Sequence, residues 1–89
     1  MKLSPKLGPR ARYLAEARTP EIVESVVEIS RSTDLNRFER ELESIGGRLH
    51  RRPRNFGVVA VDIAADHLDQ LARLRNVRYV ETDEMVVHH

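Results

Sequence analysis

Ile22–Gly47 reads IVESVVEISRSTDLNRFERELESIGG, and this run decides the fold. Val23, Val27 and Ile29 share one parity, while Glu24 and Glu28 occupy the other. A period of two carried by β-branched side chains predicts a strand with one buried face. Ser32, Thr33 and Asp34 follow, and each is a good N-cap because its side-chain oxygen can accept from an unpaired amide of the first helical turn. Leu35, Phe38, Leu42 and Ile45 then recur at helical spacing with Glu and Arg between them. Gly46-Gly47 stops that helix, since glycine enters the left-handed conformation without steric cost.

The flanking sequence extends the pattern. Arg48–Arg54 (RLHRRPR) is a second extended piece, and Pro53 places it at a sheet edge because proline has no amide to donate. Asn55, Phe56 and Gly57 make a turn. Val58–Ala64 (VVAVDIA) is the most apolar strand, with Val59, Val61 and Ile63 on one parity. Asp66 is the expected cap of a second helix with Leu68, Leu71, Ala72 and Leu74 as its apolar stripe, ending at Asn76. Val77–Val87 is the last extended segment. The order is β-α-β-β-α-β. So short a chain cannot give each helix its own core, so both should lie on one face of a four-stranded antiparallel sheet. This is the α+β, ferredoxin-like arrangement. Right-handed crossovers put the first and third strands in the centre, and the arginine-rich second strand at an edge.

Residues 1–20 carry Pro5, Gly8, Pro9 and Pro20 among scattered basic side chains. They are expected to form a flexible N-terminal arm, with a short helix near Arg10–Ala17 as the weaker alternative. The folded domain is then expected over 21–89.

Composition narrows the function. The chain has 89 residues and a mass of 10.3 kDa. That is room for one small domain and no separate catalytic half. Fifteen basic and 14 acidic side chains leave a net charge of +1, too little for charge-driven binding of a polyanion. With no cysteine, disulfides, thiolate metal sites and thiol nucleophiles are excluded. No stretch of Met1–Arg18 has the apolar core of a signal peptide, and no segment approaches the roughly 18 apolar residues of a membrane span. As written, the chain is expected to be cytoplasmic, or extracellular if cut from a secreted precursor.

The sheet face away from the helices should show Val26 and Glu28 from the first strand, Val58, Ala60 and Asp62 from the third, and Tyr79, Glu81 and Asp83 from the fourth. An RNA-binding sheet of this topology needs aromatic platforms on its central strands, and these strands have none. The basic edge at Arg48–Arg54 is read as a solvated edge kept from aggregating by charge. His50, His67, His88 and His89 show no zinc-type spacing and no triad partners, and no glycine-rich phosphate loop is present. Catalysis, metals and cofactors are therefore not expected.

The end of the chain, Asn76–His89 (NVRYVETDEMVVHH), resembles the inhibitor I9 family: the propeptide domains of subtilisin-like serine proteases and related free-standing inhibitors. Val77, Tyr79, Val80, Glu81 and Asp83 match the family's V-x-Y-V-E-x-D strand. The element order from Ile22 matches as well. The resemblance implies inhibition of a subtilisin-like protease and, for a propeptide, assistance to protease folding as an intramolecular chaperone. It implies that the open face, through Val26, Glu28, Val58, Ala60 and Tyr79, packs on two protease helices. Glu81 and Asp83 would cap the N-termini of those helices. Met85, Val86, Val87, His88 and His89 would enter the active-site cleft as a product-like strand, with His89 in the primary specificity pocket and Val86 in the subsite preferring apolar side chains. Thr82 stands where the family often has a further acid. The expected partner is thus a subtilisin-like serine protease, with no nucleic acid and no membrane, and the free protein is expected to be a monomer. The competing class is a ferredoxin-like small-ligand or assembly domain, which would pair through its sheet edges and bind at the seam.

Overall fold

A computed structural model describes residues 2–51 and 57–82. The elements are α1 (Pro9–Ala17), β1 (Ile22–Ile29), α2 (Leu35–Ser44), β2 (Arg48–Arg51), β3 (Val58–Ala64), a 3-10 turn (Ala65–His67) running into α3 (Leu68–Ala72), and β4 (Val77–Glu81). The four strands form one antiparallel sheet in the order β2-β3-β1-β4. The fold is α+β and compatible with the ferredoxin-like arrangement. The first and third strands are central, and the arginine-rich second strand is at an edge.

Parity places the core of β1 and β3 as expected, while in β4 a register irregularity opposite Glu28/Ile29 lets both Val77 and Val80 face inward. Val23, Val27 and Ile29 of β1, Val59, Val61 and Ile63 of β3, and Val77 and Val80 of β4 are buried beneath Phe38, Leu42, Leu68 and Leu71 of the helices. Asp34 caps α2, accepting from the amides of Asn36 and Arg37 at 3.0 and 3.3 Å. Gly46, at a φ of +82°, turns the chain out of that helix. The Gly47 amide then returns to the Leu42 carbonyl at 2.9 Å. A side chain at Gly47 would collide with Leu42, so the glycine pair ends the helix and also lets the chain pass close beneath it.

Three expectations need correction. First, the N-terminal segment is built into the fold. Leu7, Ala11, Leu14 and Ala15 are buried in the same core as the sheet. Gly8 and Pro9, read as punctuation of a tail, are the N-cap and first residue of α1, where proline's missing amide costs nothing. Ahead of the helix, Leu7 forms a parallel bridge to Val80. The Gly8 amide donates to the Val80 carbonyl at 2.7 Å, and the Val80 amide to the Lys6 carbonyl at 3.0 Å. Second, Asp66 is not a helix cap. The amides of Ala65 and Asp66 donate instead to the carbonyls of Glu21 and Thr19, at 2.8 and 2.9 Å, so the linker before β1 supplies the acceptors. Third, α3 ends at Ala72 rather than Asn76. The Asn76 carbonyl accepts the Ser30 amide at 2.9 Å. His67 is partly buried, and its Nδ1 donates to the Ile45 carbonyl at 3.0 Å, tying the end of α2 to the 3-10 turn.

Asp69 holds the N-terminal segment down. It accepts the Ser4 amide at 2.7 Å and Arg73 Nε at 2.8 Å, while Arg73 Nη2 donates to the Lys2 carbonyl at 2.6 Å. Burial acts to raise the Asp69 pKa, but the hydrogen bonds from Arg73 and Ser4 and the charges of Arg73 and Arg12 outweigh it, so the carboxyl lies below its ordinary value. A depressed carboxyl pKa means that the unfolded chain takes up the proton first. The stabilisation is therefore complete above the ordinary value of about 4 and is lost as pH falls through the folded value. Between about pH 5 and 3, Asp69→Asn should lose less stability than the parent in urea titrations. Parallel losses would show that Asp69 does not contribute to the acid sensitivity.

Candidate functional site

The strand register assembles the uncovered face rung by rung. Val26 of β1 lies opposite Ala60 of β3 on one side and Glu81 of β4 on the other. On the next rung, Glu28 lies between Val58 and Tyr79. All five residues read from sequence as a docking surface, Val26, Glu28, Val58, Ala60 and Tyr79, are therefore neighbours across three strands. Val26 and Val58, on the two central strands, are 39% and 42% exposed. The side chains in the middle of this surface are short, which lets a partner backbone or helix approach closely. A third rung pairs Glu24 with Asp62, opposite Arg48 of β2.

Glu81 is half-buried, and its carboxylate caps a helix of its own chain. Oε1 accepts the Ala11 amide at 2.8 Å and the Thr82 amide at 2.9 Å. Ala11 is the third residue of α1, whose first turn contains no acid. Its unpaired amides and partial positive charge are thus met by a carboxylate from the sheet edge. A side chain on Gly8 would run into the Glu81 carboxylate and the Tyr79 hydroxyl, so this approach needs glycine. Thr82 is fully buried, and its Oγ1 donates to the Glu24 carbonyl at 2.7 Å. An ionised side chain in that position would be buried against a carbonyl oxygen. This accounts for threonine where the related strand pattern often has an acid. Asp83 and Met85–His89 lie outside the described residues.

Sequence reading missed the α1 contribution to this edge. The signal was the spacing of Ala11, Leu14 and Ala15, which places three small or apolar residues on one helical stripe, with Leu7 ahead of it. It was masked by the prolines and by the alanines' small apolar area.

A protein-family model described as "Putative peptidase inhibitor domain" matches residues 9–83. The match begins at the first residue of α1 and spans every helix and strand. The chain belongs to this peptidase inhibitor domain family. Membership makes a peptidase the partner class. It also agrees with the structure in counting α1 as part of the domain. No curated protein matches the chain. In this inhibitor domain, the helices and core fill one sheet face, and the other is uncovered across the described residues.

Proposed function

We propose that this inhibitor domain is a non-catalytic binder of a subtilisin-like serine peptidase. It docks through Val26, Glu28, Val58, Ala60 and Tyr79 and presents Met85–His89 to the active-site cleft as an added, product-like strand. The register-aligned, uncovered patch of short apolar side chains carries this reading, together with the family match. The β4 strand supports it from the other side, since the segment meant for the cleft follows directly from a strand anchored to β1 through Val80 and Thr82. Tethering the segment to a docked domain keeps its local concentration at the cleft high. Glu81 already caps α1, so Asp83 is the proposed acceptor for a peptidase helix N-terminus, and Glu81 serves it only by sharing its carboxylate. The same docking surface could template folding of the peptidase, as a propeptide does.

Titration of the full chain against a subtilisin-type peptidase, followed by hydrolysis of a chromogenic peptide, tests the reading. Saturable inhibition that competes with substrate is expected. Unchanged hydrolysis at a large molar excess of the protein would exclude that peptidase class.

A further inference from the structure

We propose that Glu24, His50 and Asp62 form a binding site for a divalent transition-metal ion, with Zn2+ the best fit. The three side chains come from three adjacent strands, and one potential ligand atom from each lies within 4.8 Å of the others. Asp62 Oδ2 is 2.9 Å from His50 Nδ1, and Glu24 Oε2 is 3.3 Å from His50 Nε2. A neutral imidazole carries one proton. When Nδ1 donates that proton to Asp62, the Nε2 lone pair points toward the Glu24 carboxylate. A cation placed between the two would be attracted by both.

The separation suits a metal. Zinc bonds of about 2.0–2.2 Å to nitrogen and oxygen, opened to a tetrahedral angle, put the two donor atoms about 3.4 Å apart. The spacing between Glu24 Oε2 and His50 Nε2 is 3.3 Å. Asp62 then plays the bracing role usual for a metal-bound histidine, fixing the tautomer and ring orientation through Nδ1–H. Two carboxylates around a neutral imidazole also balance the charge of a dication. The imidazole favours zinc and its transition-metal neighbours over magnesium or calcium, which prefer all-oxygen shells. Water would complete the coordination, since the cluster is on the open face.

The backbone is shaped to bring the ring there. Leu49 pairs with Val61 and Arg51 with Ala60, so His50 is the extra residue of a β-bulge. Bulges re-aim side chains, and this one carries the imidazole to Asp62 and Glu24. Glu24 and Asp62 are directly paired on the two central strands, so both carboxylates stand on the most constrained part of the sheet. Although Arg48 is opposite Asp62, the Asp62 carboxylate is engaged by the imidazole. Sequence reading gave no hint of this, because the three residues are 26 and 12 positions apart on separate strands and follow no local spacing.

The test is an NMR titration of the full chain with zinc sulfate near neutral pH, observing the His50 ring. The expected result is a saturable, one-to-one shift of the His50 resonances. It should persist when His88→Ala and His89→Ala are introduced together and disappear in His50→Ala. Asp62→Asn should weaken binding by about 10- to 100-fold, the usual cost of losing a bracing carboxylate. His50 resonances that respond to pH but not to millimolar zinc would overturn the proposal and leave a proton as the bridging charge. Binding that survives His50→Ala but is lost with His88 and His89 would overturn it as well. The readout needs no peptidase, so its failure is separate from failure of the inhibitor reading.

Discussion

Removing Met85–His89 is expected to raise the inhibition constant toward a subtilisin-type peptidase at least about 100-fold, the scale of gain that tethering supplies. The thermal midpoint should stay unchanged. The core residues run from Leu7 to Val80, and β4 is anchored by its pairing with β1 and by the buried Thr82, all of which the deletion leaves in place. Paired measurements separate two ideas. If the shortened chain is folded but inhibits only weakly, the face docks and the tail blocks. If it inhibits as well as the full chain, cleft insertion is wrong and the face alone obstructs the enzyme. Substitution of Val26 and Val58 by lysine would then show whether that face makes the contact at all.

The parts of the fold legible in the sequence are those whose signals are local. The alternation from Val23 to Ile29, the acid at Asp34 and the glycine pair after α2 each report on a neighbourhood of a few residues, and each is realised in the structure. The strand order follows from connection handedness, and the open face follows from parity once the core face is known. Interactions across the length of the chain were not legible. Ala11 finds its acceptor in Glu81, 70 residues away. The 3-10 turn ahead of α3 finds acceptors for its first amides at Glu21 and Thr19, and the plausible cap Asp66 is unused. His50, Glu24 and Asp62 meet only because a bulge and two strand pairings bring them together. Glu81 shows the difference most directly. The chemistry read for it, a carboxylate set against a helix N-terminus, is present, but the helix is its own.

Leu14→Ala is expected to destabilise the protein by about 2–5 kcal/mol, the usual cost of emptying a buried leucine site. Leu14 is only 2% exposed and sits on α1 among the buried residues of the sheet and α3. For a chain of this size each kcal/mol lowers the melting midpoint by about 4–8 °C, so the variant should be visibly crippled. Tyr13, one position earlier on the same helix, is 64% exposed, and Tyr13→Ala should stay within about 0.5 kcal/mol of the parent. This contrast decides whether α1 is structural. A loose arm would give two small and similar values in urea denaturation, whereas an integrated helix gives one large and one small. The consequence reaches the functional face. α1 begins at the edge of β4, and its amide is held by Glu81, so loosening the helix frees that edge and the Glu81 carboxylate. If α1 is integral, Leu14→Ala should weaken peptidase inhibition at temperatures where the domain is still folded, because the strand that carries the tail has lost its outer neighbour.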